Sequence, residues 1–306
     1  TGESLEEENI NTIGKALESG INFFDTAWVY QNFETKETNE ELVGRAIKKF
    51  GRDKFIIATK FGIGFSSTGM ILSGKSDFVR QQCDESLKRL GIETIDLYYM
   101  HRMDPTTPIE ETMNTLLELK NEGKIRYVGL SECTPQELER AHKVFPITAI
   151  QMEWSLQTRD IETTLVPVAR KLGVGIVAYS PLGRGFLSRT FTKKEEIGEG
   201  DSRNKNPRFQ EENFQKNVED AEKLENIAKI KGYSAAQLAL AWVHSRGKDV
   251  FPIPGTKSAK RIEENSKAPN IVLTDEEWSE IEKLVPVAQG ERYDENSIKS
   301  TYSYRL

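Results

Sequence analysis

Four side chains that move or stabilise protons follow one another early in the chain: Asp25, Tyr30, Lys60 and His101. A tyrosine hydroxyl is a weak acid at neutral pH, and a lysine ammonium beside it favours the phenolate. A carboxylate keeps such a lysine charged and oriented, and an imidazole orients a carbonyl group or shares a proton. Taken singly, each residue is better explained by packing or by a buried ion pair than by catalysis. An active site therefore requires that the fold bring all four together.

The elements that must position these residues are visible as an alternation along the chain. Short apolar runs alternate with helix-like stretches, a pattern that predicts βαβ units and a parallel sheet. The predicted strands are INFFD (21–25), FIIATK (55–60), IDLYYMH (95–101), IRYVGLSE (125–132), ITAIQME (147–153), VGIVAYS (174–180) and VFPIPG (250–255). The predicted helices are 4–20, 38–50, 77–91, 109–123, 134–145 and 161–173, with Ser76 and Thr134 as N-caps and Pro135 opening its helix.

Each apolar run stops at a polar or special residue. These residues are Asp25, Lys60, His101, Ser131 with Glu132, Gln151 with Glu153, Tyr179 with Ser180, and Pro254 with Gly255. In a parallel barrel all the strand C-termini open on one face, where the active site lies. An open doubly wound sheet also accommodates seven strands, whereas a barrel needs an eighth. Because the chain begins with a helix, we expect a barrel whose first strand is missing from this sequence.

Composition narrows the class of protein further. The 306 residues carry 42 Lys and Arg against 48 Asp and Glu, a net charge of −6, which argues against broad nucleic-acid binding. No apolar run approaches the roughly 20 residues that span a bilayer. Cys83 and Cys133 lack CxxC spacing and no HExxH motif is present, so we expect no metal site and a reducing, cytoplasmic compartment. The segment 181–215, polar and punctuated by Gly, Asn and Pro, predicts a long mobile loop that could clamp a cofactor.

The sequence resembles the aldo-keto reductases. The matching stretches run in order along nearly the whole chain: INFFDTAWVY, IIATKFG, DLYYMHRMD, KIRYVGLSE, AIQMEWSL, VAYSPLGRGFL, AAQLALAWV and FPIPGTKSAKRIEEN. HRMD and SPLGRG are most similar to the plant and microbial branch related to auxin-induced proteins and potassium-channel β subunits. The resemblance implies a (β/α)8 TIM barrel, here a single domain over residues 1–306, that reduces aldehydes or ketones with NADPH and acts on a small-molecule substrate.

The resemblance also implies a role for individual residues. Tyr30 would be the general acid, Lys60 and Asp25 would tune it, and His101 and Trp28 would contact the substrate. Ser131 and Gln151 match positions that hold the nicotinamide carboxamide, and Tyr179 matches the aromatic residue on which the nicotinamide stacks. The pyrophosphate turn matches Ser180, Pro181, Leu182, Gly183 and Arg184; the segment at the adenosine end and its 2′-phosphate matches Gly255, Thr256, Lys257, Ser258, Arg261, Glu264 and Asn265.

Some positions depart from the family pattern. Glu132 stands where many members have Asn, Gln31 replaces a usual Gly and is followed by Asn32 and Phe33, and Trp28 lies between Asp25 and Tyr30. These changes leave the substrate pocket unassigned.

Other motifs offer competing interpretations. The stretch GMILSGKS (69–76) fits a P-loop, but it does not start directly at a predicted strand end, so we do not expect an ATP site. GxGxxG is absent, and GLSEC lacks the last glycine of a nucleophile elbow. The alternative function is an NADPH-binding regulatory or scaffold subunit with slow residual chemistry, and a homo-oligomer is compatible with either function.

Overall fold

The computed structural model of the chain describes residues 2–31, 35, 37–66 and 69–306. By their contacts these residues form two compact units. The first comprises Thr1–Gln151, Val168–Val174 and Thr256–Glu263, and the second comprises Met152–Pro167, Gly175–Gly255 and Glu264–Leu306.

Strands and helices alternate as the sequence predicts. The strands are β1 (Phe23–Asp25), β2 (Ile56–Phe61), β3 (Ile63–Ser66), β4 (Gly69–Leu72), β5 (Ile95–Met100), β6 (Ile125–Ser131), β7 (Ala149–Glu153), β8 (Gly175–Tyr179) and β9 (Val250–Pro252). The helices are α1 (Gly2–Glu18), α2 (Asn39–Phe50), α3 (Ser76–Leu90), α4 (Ile109–Asn121), α5 (Pro135–Val144), α6 (Leu165–Lys171), α7 (Glu211–Ile230), α8 (Ala235–Ser245), α9 (Ala259–Asn265), α10 (Asp275–Leu284) and α11 (Tyr302–Arg305).

The first unit is built on a parallel sheet with the strand order β1-β2-β5-β6-β7. Asp25 of β1 lies opposite Ala58, Lys60 of β2 lies opposite Tyr99, and Ser131 of β6 lies opposite Gln151. Helices α2 to α5 connect these strands, so every strand runs in the same direction and their C-terminal ends share one edge. The residues predicted to act together in this unit are therefore neighbours along that edge.

The second unit contains the parallel pair β8 and β9, with Ile176 opposite Val250 and Ala178 opposite Pro252. Its core includes Trp154 and Trp242, whose rings meet edge to face with centroids 6.4 Å apart. The described residues contain seven parallel strands, as many as the sequence predicts. An eighth parallel strand is not present among them. The α/β class with parallel strands is confirmed. None of the helices in the described part of the chain is long and apolar enough to cross a membrane.

Segment 181–215 is irregular up to Gln210. Its irregular portion consists of 3₁₀ turns at Gly183–Gly185, Lys194–Glu196, Ser202–Lys205 and Pro207–Phe209, and α7 follows directly. A buried cluster holds the segment together; it consists of Phe186, Phe191, Ile197, Phe209, Phe214, Val218 and Ala221. Its phenylalanines are widely spaced and separated by charged residues in the sequence, and they converge only in three dimensions. That the segment is mobile and clamps a cofactor stays a prediction.

Near the P-loop-like segment the structure adds one element and corrects one prediction. The stretch between Phe61 and Ser73, to which the sequence assigned no element, contains the antiparallel hairpin β3–β4, in which Ile63 lies opposite Leu72. The P-loop-like segment therefore begins in a hairpin strand. Ser76 is the first residue of α3, and the N-cap is Lys75, which makes no side-chain cap bond. In contrast, Thr134 forms a capping box with Glu137 and Pro135 opens α5, as predicted.

The sheet of the first unit is tightly packed around Gly129 in β6. A Cβ atom at this position would lie 2.3 Å from Cε1 of the buried Tyr99 and 2.8 Å from the carbonyl oxygen of Ala149. We expect Gly129→Ala to lower the free energy of unfolding by about 1–3 kcal/mol, because neither neighbour has room to move. Gly198→Ala, at an open position, is the control and should change it by less than about 1 kcal/mol. Denaturant unfolding measures both, and equal effects would contradict the packing argument.

Candidate active site

The ends of β1 and β2 bring a buried cation and an acid together. The ammonium of Lys60 forms an ion pair with Asp25 and donates a hydrogen bond of 2.7 Å to the carbonyl oxygen of Thr26. Burial by itself would lower the pKa of Lys60, but the Asp25 carboxylate and then Tyr30 outweigh it and raise the pKa. Lys60 therefore carries its positive charge at neutral pH.

Gln151 fixes the orientation of Asp25. Its side-chain Nε2 donates a hydrogen bond of 2.7 Å to Oδ2 of Asp25, while the other carboxylate oxygen pairs with Lys60. Sequence reasoning placed Gln151 on the nicotinamide carboxamide and missed this contact with Asp25. The two residues are 126 positions apart, and only the sheet register brings them together.

Tyr30 lies in the turn after β1, against both charged and neutral partners. The Lys60 ammonium nitrogen is 5.2 Å from the centroid of the Tyr30 ring. The imidazole of His101 meets the same ring edge to face, with centroids 5.8 Å apart and an interplanar angle of 84°. Tyr30 remains 43% exposed, whereas Lys60 is 1% exposed, so the phenol is the accessible member of this group.

His101 follows β5 and its backbone N–H donates to the carbonyl oxygen of Phe61 at 2.8 Å. Its side chain is buried, and among the described residues its Nδ1 has no hydrogen-bond partner. Burial, together with the nearby charges of Arg102 and Lys60, holds the pKa of His101 well below its usual value. The imidazole is thus neutral at physiological pH and offers one N–H donor and one acceptor.

Arg102 is a site residue that the sequence analysis missed. Its Nη1 donates to the carbonyl oxygen of His101 at 2.8 Å and lies 3.4 Å from Oγ of the buried Ser131. Arg102 therefore links the ends of β5 and β6. The sequence contained a signal for Arg102, because this residue directly follows His101 in the HRMD stretch.

Among the described departures from the family pattern, Trp28 and Gln31 are half-buried and Glu132 is buried. The indole Nε1 of Trp28 donates a hydrogen bond of 2.7 Å to Glu85 in α3, so this polar group is engaged within the protein. Glu132 is fully buried with a positive φ of 55°, and its N–H donates to the carbonyl oxygen of Gln151. Gln31 forms an isolated β-bridge with Thr38. Asn32 and Phe33 lie outside the described residues.

In the second unit, Tyr179 ends β8 and is held through its hydroxyl group. That oxygen is 3.1 Å from the hydroxyl oxygen of Tyr293 and 3.4 Å from Nη1 of Arg292. The predicted pyrophosphate turn (Ser180, Pro181, Leu182, Gly183 and Arg184) follows. Its φ angles are +48° at Ser180, +57° at Gly183 and +56° at Arg184. A positive φ is strained at the non-glycine residues Ser180 and Arg184, and such strain clusters at functional sites.

Arg184 belongs to a charge cluster around the buried Glu153. Its Nη2 is 3.2 Å from Oε2 of Glu153, and the guanidinium lies 4.2 Å from the centroid of the Tyr293 ring. Arg208 and Arg292 approach the same carboxylate at 3.3 and 3.6 Å. Burial would lower the pKa of Arg184, but Glu153 more than compensates and raises it. The glutamate and its arginines were not recognised as a group from the sequence.

The residues expected at the adenosine end divide between the units. In the first unit, Ser258 Oγ accepts weakly from Arg261 N–H at 3.4 Å just before α9, and Thr12 of α1 donates to the carbonyl oxygen of Lys257 at 3.1 Å. Both Lys257 and Arg261 are exposed. A cavity of about 460 Å³ in this unit is lined by Glu7, Glu8, Asn11, Thr12, Ser258, Ala259 and Lys260.

The remaining residues of this set belong to the second unit. The carbonyl oxygen of Glu264 accepts from Gln237 at 3.1 Å, Asn265 is buried, and Gly255 stands in open space.

The chain is similar to several known proteins over most of its length. Residues 1–286 match the aldo/keto reductase family. The chain is 47% identical over 293 residues to probable aldo-keto reductase 1 of Glycine max, covering 94% of this chain and 83% of that protein. A glycerol dehydrogenase from Gluconobacter oxydans has a similar structure, with a TM-score of 0.84, 30% identity and coverage of 95% and 89%.

A second solved structure is an aldo-keto reductase from Klebsiella pneumoniae in complex with NADPH. It matches with a TM-score of 0.72, 25% identity and coverage of 95% of this chain and 89% of that one. The present chain belongs to the aldo/keto reductase family and is an NADP-dependent oxidoreductase acting on carbonyl and alcohol groups.

The neutral state of His101 predicts a specific sensitivity to acid. In the unfolded chain a histidine titrates near 6.5, whereas burial keeps the folded imidazole unprotonated at lower pH. Below about pH 6.5 the unfolded state therefore binds a proton that the folded state does not, so the free energy of unfolding decreases as the pH falls. The loss from this residue should reach about 1.4 kcal/mol at about pH 5.5.

Urea unfolding at about pH 5.5 and about pH 7.5 measures this contribution. The unmutated protein should lose about 1.4 kcal/mol more than the His101→Gln variant on acidification. Equal losses in the two proteins would show that His101 is protonated in the folded state.

Proposed function

We propose that this protein reduces aldehydes or ketones to alcohols with NADPH, with Tyr30 as the general acid, on a (β/α)8 barrel. The observation that carries the proposal is the accessible Tyr30 ring beside a buried, charged Lys60 and a buried, neutral His101.

The relatives support the choice of reaction and cofactor. One Klebsiella pneumoniae aldo-keto reductase structure contains NADPH, and another contains NADP and acetate. The similar Gluconobacter oxydans enzyme is a glycerol dehydrogenase, which is chemistry between an alcohol and a carbonyl.

The residues of this chain fit a phosphorylated dinucleotide. Ser258 and Lys260 line the cavity, and the exposed Lys257 and Arg261 are their neighbours in sequence; the hydroxyl group of Ser258 adds a neutral hydrogen-bonding partner. Cations and hydroxyl groups of this kind are the usual partners of a 2′-phosphate. NADPH, when bound, supplies the hydride that the carbonyl carbon receives. Ser131, Gln151, Tyr179 and the turn from Ser180 to Arg184 are proposed to hold its nicotinamide and pyrophosphate portions.

Tyr30 performs the proton step in this proposal. As the carbonyl carbon becomes tetrahedral, negative charge develops on the oxygen, and the phenol of Tyr30 transfers its proton there. Lys60 stabilises the phenolate that remains, because its charge lies close to the ring and is held in place by Asp25. The neutral imidazole of His101 directs a hydrogen bond toward the carbonyl oxygen without competing as a proton source.

The direct test measures NADPH oxidation against a panel of aldehydes and ketones with the purified chain. Turnover of simple aldehydes supports the proposed enzyme. Binding of NADPH without turnover of any carbonyl compound would instead favour the regulatory or scaffold subunit. We also propose that the protein forms a homo-oligomer, and sedimentation of the same preparation tests this. A cytoplasmic location and a single domain over residues 1–306 are further proposals.

Replacement of the acid gives the first kinetic prediction. Tyr30→Phe removes the proton donor but keeps the ring, and we expect kcat to fall by roughly 10²–10⁴-fold. The dissociation constant for NADPH should remain within about twofold, because the proposed cofactor residues lie elsewhere. Lys60→Met should also reduce kcat strongly. An active Tyr30→Phe enzyme would remove Tyr30 from the mechanism, and a large loss of NADPH affinity would indicate a structural role.

The cofactor preference gives the second kinetic prediction. Charge-assisted hydrogen bonds contribute about 1.5–3 kcal/mol each, and exposure to salt reduces this at Lys257 and Arg261. We expect the protein to bind NADPH about 10²–10³-fold more tightly than NADH. Arg261→Ala should weaken NADPH binding, largely spare NADH binding and reduce the salt dependence. Fluorescence titration with both cofactors measures this, and equal dissociation constants in the unmutated protein would contradict the assignment of the 2′-phosphate site.

A further inference from the structure

Trp28 lies two residues before the proposed acid, and two residues of α3 hold it in place. We propose that Glu85 and Arg89 are positioning residues: they fix the indole of Trp28 and thereby the turn that carries Tyr30. This inference rests on the proposed function, because it assigns the two residues an effect on the Tyr30 proton transfer.

The contacts of Trp28 restrain its side chain and its backbone. Nε1 donates to Oε2 of Glu85 at 2.7 Å, which fixes the direction of the indole edge. The guanidinium carbon of Arg89 lies 5.0 Å from the centroid of the indole ring, so the cation covers one ring face. The same guanidinium donates to the carbonyl oxygen of Trp28 at 3.2 Å. Residues of α3 therefore contact the edge and one face of the Trp28 indole and also the Trp28 backbone.

Arg89 cannot easily move, because it also neutralises a buried acid. Its Nη1 is 3.3 Å from Oε2 of Glu40, a residue of α2 with no exposed surface. The other oxygen of Glu40 accepts a hydrogen bond of 2.6 Å from Thr59 in β2. Withdrawing Arg89 would leave a buried carboxylate without its cation, which is strongly unfavourable.

The backbone of α3 is anchored as firmly as its side chains. A Cβ atom on Gly44 of α2 would lie only 2.6 Å from the carbonyl oxygen of Arg89. The two helices thus pack with their backbones close together, and α3 provides a rigid support from which Glu85 and Arg89 reach the turn.

The turn itself is short, so the restraint on Trp28 reaches Tyr30. The N–H of Trp28 donates to the carbonyl oxygen of Lys60 at 3.0 Å, and the N–H of Tyr30 donates to Ala27 at 3.0 Å. On the far side, the carbonyl oxygen of Tyr30 accepts from Asn39 at 2.8 Å. Because Tyr30 is 43% exposed and packing alone does not enclose it, its position depends on these neighbours. A displacement of about 1 Å in a catalytic group costs about 10²-fold in rate.

The experiment is a double-mutant cycle between Glu85→Ala and Trp28→Phe, assayed by NADPH oxidation with an aldehyde that the unmutated protein reduces. If Glu85 acts through the indole N–H, Glu85→Ala should lower kcat about 10-fold while KM for NADPH stays within about twofold. In the Trp28→Phe background, where no N–H remains, the same substitution should have little further effect. Glu85→Gln, whose amide oxygen still accepts a hydrogen bond, should restore most of the lost rate.

Asp84→Ala is the matched control, because it removes a carboxylate on the same helix that pairs only with Lys124 among the ion pairs of the described residues. This variant should keep the kcat of the unmutated protein. Unchanged kcat in Glu85→Ala would overturn the proposal, as would equal, multiplicative losses in both backgrounds. An unmutated protein that reduces no carbonyl compound would instead overturn the proposed function, and that result is visible before any variant is made.

Discussion

The buried ammonium of Lys60 is the charge on which the arrangement of the first unit depends. An isolated charge in a protein interior costs several kcal/mol, so this lysine is stable only with a close and well-oriented partner. Asp25 and the carbonyl oxygen of Thr26 supply those partners from the end of β1. The β1–β2 register must therefore bring Asp25 beside Lys60, and Gln151 must hold the second carboxylate oxygen.

The strand that carries Lys60 also anchors the helices on its other face. Adjacent residues in a strand point to opposite faces of the sheet. While Lys60 contacts Asp25, Thr59 reaches the buried Glu40, which in turn pairs with Arg89 of α3. A single strand thus links the charged group near Tyr30 to a second buried charge among the helices, and that second link supports the turn from the opposite side.

Features encoded locally could be predicted from the sequence, and features that depend on distant partners could not. The apolar runs and the cap at Thr134 depend on neighbouring residues, and the polar strand ends selected Asp25, Lys60 and His101 correctly as neighbours. The hairpin β3–β4 escaped detection because its strands are short and glycine-rich. The hydrogen bond from Gln151 to Asp25 could not be predicted, because the two residues are far apart in sequence and only the assembled sheet brings them together.

Each unit contains a buried charge, and the two charges have opposite signs. In the first, one carboxylate neutralises a buried ammonium, and after burial the charges of Arg102 and of that ammonium help to keep the neighbouring His101 neutral. In the second, the buried carboxylate of Glu153 is approached by Arg184, Arg208 and Arg292, and the neighbouring arginines, after burial, contribute to the lowered pKa of Arg208. Arginine serves this role because its guanidinium is weakly hydrated and offers several N–H donors. Arg292 and Arg184 also contact Tyr179 and Tyr293 respectively, so the same charges that stabilise Glu153 fix the aromatic residues at the end of β8.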